Sequence, residues 1–165
     1  KMNNNTLIFR MESEIPPVVP IHLKIEINCK EHFNVLPMQK IPFSVSNKWY
    51  KGGCDVLTYQ LDELVGTKLR ALYQRRKGRD LYDLYKALTT KELNIVNVLK
   101  CYNLYMDFVV DHIPTYKEFI INMEDKMQDE EFLGDTKQLL RPDEHFNPQE
   151  GYEVVKTALI DRLQK

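Results

Sequence analysis

Lys68 lies on an apolar helical stripe, and Asp80 and Asp83 follow it closely in the chain. A lysine held among apolar groups can grip a phosphate as a point charge, because a low local dielectric strengthens the contact. Two aspartates three residues apart share one helical face and present paired carboxylates to a cation or a proton. Between the lysine and this pair, Arg75-Arg76-Lys77-Gly78-Arg79 forms a compact basic turn whose charge suits the phosphates of a nucleotide or of RNA. Glu26, flanked by Ile25 and Ile27, has the pattern that aims a carboxylate out of a sheet face at a metal or a proton.

Each of these has a plain structural counterpart. Lys68 can snorkel along the edge of its stripe or form an ion pair with Asp80. Asp80 or Asp83 can cap a helix or favour the dipole of its first turn. The basic turn suits the negative end of the preceding helix, and Glu26 can pair with Lys24 or His22 on its strand. Both sets of roles stay open on spacing alone.

The elements that must position these residues follow from periodicity. Ile21-His-Leu-Lys-Ile-Glu-Ile-Asn28 alternates strictly, which predicts a half-buried strand with Glu26 on its polar face. Thr6 to Met11 reads as a shorter strand, and the prolines at 16, 17 and 20 make a stiff connector. Pro37 and Pro42 bracket a loop, Phe43 to Val45 can extend or pair with the sheet, and Lys51-Gly-Gly-Cys54 reads as a turn before a strand at 55–59. It lacks the spacing of a phosphate-binding loop. From Leu61 the period becomes helical, with Leu64, Val65, Leu69 and Leu72 on one face beside Lys68. Helices are expected over 60–75, 79–89, 92–112, 115–128 and 150–163, with a further one within 130–140. Strands early and helices late predict an α+β fold, residues 1–59 supplying sheet and 60–165 a helical lobe that packs as one unit with it.

Composition narrows the function classes. At 165 residues and 43% hydrophobic content, one globular core is affordable. A formal charge of −1 gives no global field toward nucleic acid or membrane, so any anion site must be local. Three cysteines without C-x-x-C spacing argue against a disulfide framework or a cysteine zinc site and fit a reducing cytoplasm. His22, His32, His112 and His145 show no zinc-hydrolase spacing, and no G-x-S-x-G is present. No apolar run reaches the ~20 residues of a membrane span.

Taken together, Leu23-Lys-Ile-Glu-Ile-Asn28, Thr58-Tyr-Gln-Leu-Asp-Glu-Leu64, Lys68-Leu-Arg-Ala-Leu72 and Arg79-Asp-Leu-Tyr-Asp-Leu84 resemble the AbiEii/AbiGii toxin family of nucleotidyltransferases. The resemblance implies a nucleotidyltransferase-fold sheet with a C-terminal helical bundle. It implies an enzyme that uses a nucleoside triphosphate with Mg2+ or Mn2+ and acts in a toxin-antitoxin or phage-defence system beside a cognate antitoxin. The acceptor would be an RNA, such as a tRNA 3′ end, or a protein. Glu26 would then be the late carboxylate of the catalytic sheet, assisting a metal or the attacking hydroxyl. Lys68 would contact phosphates, with Arg75, Arg76 and Arg79 as further phosphate-binding candidates, and Asp80 or Asp83 would be the aspartate of the second lobe. The family's glycine turn and D-x-D pair are missing before Glu26, since Met11-Glu-Ser-Glu14 follows no glycine and Gly52-Gly53 comes too late. The chain therefore reads as the C-terminal part of a longer enzyme, inactive alone. The alternatives are a non-catalytic module that docks RNA or a protein, and a purely structural helical domain.

Overall fold

The computed structural model describes residues 4–29, 31, 33–110 and 112–164; Lys1 and His32 lie outside them. The chain divides into two units, residues 1–34 and 35–165. In the first, strands β1 (Asn4–Glu12) and β2 (Pro20–Asn28) pair antiparallel, with Leu7 opposite Ile25, Phe9 opposite Leu23 and Met11 opposite Ile21. Directly opposed residues share a face, so the alternation of β2 continues across β1 as one apolar surface. The half-buried strand expected from that alternation is not what forms. All of β2 is exposed, Leu23 at 51% and Ile25 at 41%. Alternation decides which side chains share a face, whereas burial needs a second layer packed on that face.

The second unit opens with another antiparallel hairpin, β3 (Gln39–Ser46) and β4 (Lys51–Thr58). Its reversal lies at 47–50, where Asn47 Oδ1 accepts hydrogen bonds from the N–H groups of Trp49 (2.9 Å) and Tyr50 (2.8 Å). The turn expected at Lys51-Gly-Gly-Cys54 is corrected accordingly: these residues are the first part of β4, paired with Ser46 to Phe43. The short amide of Asn47 closes the reversal before the glycines are reached. Pro42, expected at a loop boundary, lies inside β3, which a two-stranded sheet tolerates because both strands are edges.

Six α-helices follow: α1 (Leu61–Gln74), α2 (Gly78–Thr90), α3 (Ile95–Val109), α4 (Tyr116–Lys126), the short α5 (Glu130–Gly134) and α6 (Pro148–Ala158), closed by a 3-10 turn at Ile160–Gln164. The fold is α+β with a helical C-terminal part. Starts are written in the sequence. Asn94 Oδ1 accepts from the N–H groups of Val96 (3.1 Å) and Asn97 (3.3 Å) to cap α3, and Thr115 and Glu118 form a capping box on α4. Val65, Leu69 and Leu72 of α1 are buried in the core with Val98, Tyr102 and Met106 of α3 and Phe119 and Met123 of α4. Leu64, assigned to the same stripe from its spacing, is 41% exposed at its edge. α1 and α3 approach closely at Gly66, where a Cβ would stand 2.7 Å from the Val98 carbonyl oxygen and 3.0 Å from the Tyr102 nitrogen. Among the described residues no helix is long and apolar enough to cross a membrane.

Candidate functional site

α1 carries Lys68 on the margin of its buried stripe, and α2 begins just beyond the basic turn, which brings its first two turns alongside. Lys68 Nζ lies 3.2 Å from Asp80 Oδ1 and 2.8 Å from Asp83 Oδ2. The spacing of the two aspartates puts both carboxylates on the face turned to α1. Their exposures differ. The Asp80 side chain is fully buried at 0%, whereas Asp83 is 46% exposed. Arg75 completes the inner side with a two-pronged contact, Nε to Asp80 Oδ2 at 2.6 Å and a terminal guanidinium nitrogen to Asp80 Oδ1 at 2.7 Å. Burial pushes the Asp80 carboxyl up, but the hydrogen bonds and charge of Arg75, joined by Lys68, outweigh it and hold the group below the ordinary aspartate value. The Arg75 guanidinium is raised in turn, chiefly by its hydrogen bonds to Asp80.

Neither aspartate caps α2. The N-cap position is Lys77, and the first-turn N–H of Arg79 is satisfied by Oδ2 of Asp135, the C-cap residue of α5, at 3.0 Å. The rest of the basic turn is likewise matched by acids of the α4–α5 corner. Arg76 meets Asp125 and, at 2.8 Å, Asp129 Oδ2; Lys77 Nζ is 3.7 Å from Glu131 Oε1, and Arg79 Nε is 4.0 Å from Asp135 Oδ2. The site residues read from the sequence thus separate into groups. Lys68, Arg75, Asp80 and Asp83 form one cluster, and Arg76 and Arg79 beside it are bound to acids. Glu26 belongs to the first unit, where its exposed carboxylate pairs with Lys24 Nζ at 2.7 Å.

Two buried charges were missed by sequence reasoning. Glu63 is 0% exposed and accepts from the N–H groups of Val35 and Leu36, both at 2.8 Å, and from Tyr105 Oη at 2.7 Å. It fixes the entry of the second unit to α1 and α3. Lys126, 3% exposed, donates to the carbonyl oxygens of Leu72 and, at 2.8 Å, Tyr73. Burial, then the nearby Arg76 charge, lower its pKa to about 8. A signal existed, because Phe119, Met123 and Lys126 repeat the anomaly of a lysine on an apolar stripe.

The family described as Nucleotidyl transferase AbiEii toxin, Type IV TA system, matches residues 1–158. The chain belongs to the AbiEii family. It is therefore of the toxin-antitoxin nucleotidyltransferase kind, as its strand, lysine-helix and R-D-x-x-D residues suggested, and membership implies an antitoxin partner and a nucleoside triphosphate substrate. Comparison with curated proteins and with solved structures found no match. Within this AbiEii chain, no three metal-ligating side chains come together among the described residues.

Proposed function

We propose that this chain carries the phosphate-gripping part of a nucleotidyl transfer site, with Lys68 as the residue that meets the triphosphate. In such a transfer a hydroxyl of the acceptor, an RNA 3′ end or a protein side chain, attacks the α-phosphorus and the bond to pyrophosphate breaks. Positioning and charge neutralisation supply most of the catalysis. The observation that supports the reading is the asymmetry around one ammonium. On its inner side Lys68 faces Asp80, which is buried and locked by Arg75, and on its outer side it faces Asp83, which is open to solvent. Such a cation keeps its position through the inner partner while exchanging the outer one for a phosphate oxygen.

The two aspartates then divide their labour. Asp80, with Arg75, orients the lysine, whereas Asp83 is the carboxylate at the substrate side, released from Lys68 when phosphate binds. Arg76 and Arg79 are tied to the α4–α5 acids, so an RNA acceptor reaches them only in competition with Asp125, Asp129 and Asp135. This counts against the basic turn as a free RNA-docking surface. By the family resemblance Glu26, in the first unit, assists a metal or the attacking hydroxyl, and the protein acts in the bacterial cytoplasm in phage defence.

The test is transfer of label from nucleoside triphosphates to RNA and protein acceptors by the protein. Lys68→Ala is expected to reduce transfer by about a hundredfold or more, whereas Asp83→Asn, which removes the group that competes with phosphate for Lys68, leaves transfer within a fewfold and shifts stability by under about 1 kcal/mol because its pair is exposed. If Lys68→Ala only lowers stability and transfer survives, Lys68 is a structural ion-pair partner.

A further inference from the structure

We propose that Lys126 is a positioning residue for the Lys68 cluster, holding the last turn of α1 so that Arg75 reaches Asp80. The last four carbonyls of an α-helix have no partner within the helix. At the end of α1 the Ala71 carbonyl receives the N–H of Arg75 at 3.0 Å, and the next two carbonyls, of Leu72 and Tyr73, receive the Lys126 ammonium. Beyond them the backbone of Arg75 turns extended, at φ −127° and ψ 159°, and its guanidinium closes on Asp80. The end of α4 therefore holds the turn twice, with Lys126 on the carbonyls before Arg75 and Asp125 on the Arg76 side chain after it. Loss of Lys126 leaves two carbonyls without a donor beside the core, and the turn must unwind toward water to satisfy them. Arg75 then loses its approach to Asp80, and Lys68 is left as the sole counter-charge of a buried carboxylate.

The functional consequence rests on the reading of Lys68 given above, but the geometry is testable without a nucleotide. The experiment is NMR-detected exchange of the Arg75 Nε–H with water in this chain, comparing wild type, Lys126→Met and Met123→Ala. Met123 is buried one turn earlier on α4 and contributes packing alone, so its truncation controls for lost stability. Lys126→Met is expected to speed the exchange about tenfold while Met123→Ala leaves it within about twofold of wild type. Unchanged exchange in Lys126→Met, or equal acceleration in both variants, overturns the proposal. If Lys126→Met does not fold, Lys126→Gln is read in its place, with the same expected direction, because its shorter amide cannot span both carbonyls.

Discussion

Asp80→Asn removes one charge from the most enclosed point of the cluster. Asp80 accepts two hydrogen bonds from Arg75 and one from Lys68, and its side chain is 0% exposed. Hydrogen bonds to charged groups contribute about 1.5–3 kcal/mol each, and removing one partner of a buried pair costs about 3–5 kcal/mol. Here the partners are not fully enclosed, Arg75 keeping 52% and Lys68 31% of its side chain in solvent. Part of the loss is recovered as solvation, and the asparagine carbonyl still accepts one bond, so the net loss is about 2–3 kcal/mol. With ~2.1 cal/mol/K of unfolding entropy per residue over a unit spanning residues 35–165, this lowers Tm by about 7–11 °C. The assay is urea and thermal unfolding of wild type and variant as a function of pH. Because the folded carboxyl titrates below the unfolded value of 3.8, its stabilising contribution is complete above that pH and is lost as pH falls through the folded value. The gap between the two proteins must close in acid. A loss under about 1 kcal/mol at neutral pH, or a gap that stays constant on acidification, would refute the assignment of Asp80 as an ionised, locked partner.

Other perturbations address the scaffold. Glu63→Gln turns one of its acceptors into a donor facing N–H and O–H groups, costing about 2 kcal/mol, and speeds amide exchange at Val35 and Leu36. Gly66→Ala forces a methyl group against the Val98 carbonyl and the Tyr102 amide, which as helix backbone cannot step aside; urea unfolding is expected to show a loss of about 2–3 kcal/mol. Lys126 binds its proton more weakly when folded, about 8 against 10.5, so between these values the unfolded chain holds more protons and stability rises with pH. Up to about 3 kcal/mol of such a rise is expected in wild type and is absent in Lys126→Met, as read from urea midpoints between pH 7 and about 10.5.

The parts of the site legible in sequence are those whose partners are near in the chain. Lys68, Arg75, Asp80 and Asp83 all fall within one helix-turn-helix, so helical periodicity and one turn suffice to bring them together. Glu63 and Lys126 were illegible as partners because theirs lie 27 to 54 residues away, and nothing local distinguishes Glu63 from an ordinary first-turn acid like its neighbour Asp62. Asp80 does stand in the first turn of α2, but the capping role open to it or to Asp83 was taken instead by Asp135, just beyond α5. Helix positions were readable from the 3.6 period because each buries a continuous stripe. The β2 alternation was equally clear but silent on burial, and the Gly52-Gly53 pair drew the turn four residues past Asn47, whose side chain makes it.

α1 has one further consequence, for how freely this protein can change. Asp62 accepts from the Asn94 N–H at the start of α3, Glu63 gathers residues 35, 36 and 105, and Val65, Leu69 and Leu72 fill the core. Gly66 must remain without a side chain, Lys68 binds α2, and the carbonyls of Leu72 and Tyr73 are spoken for by Lys126. Few positions along the helix answer to a single neighbour. A saturation library over residues 61–74 should therefore return survivors chiefly at Leu64 and Gln74, making this helix the rigid vocabulary of the protein.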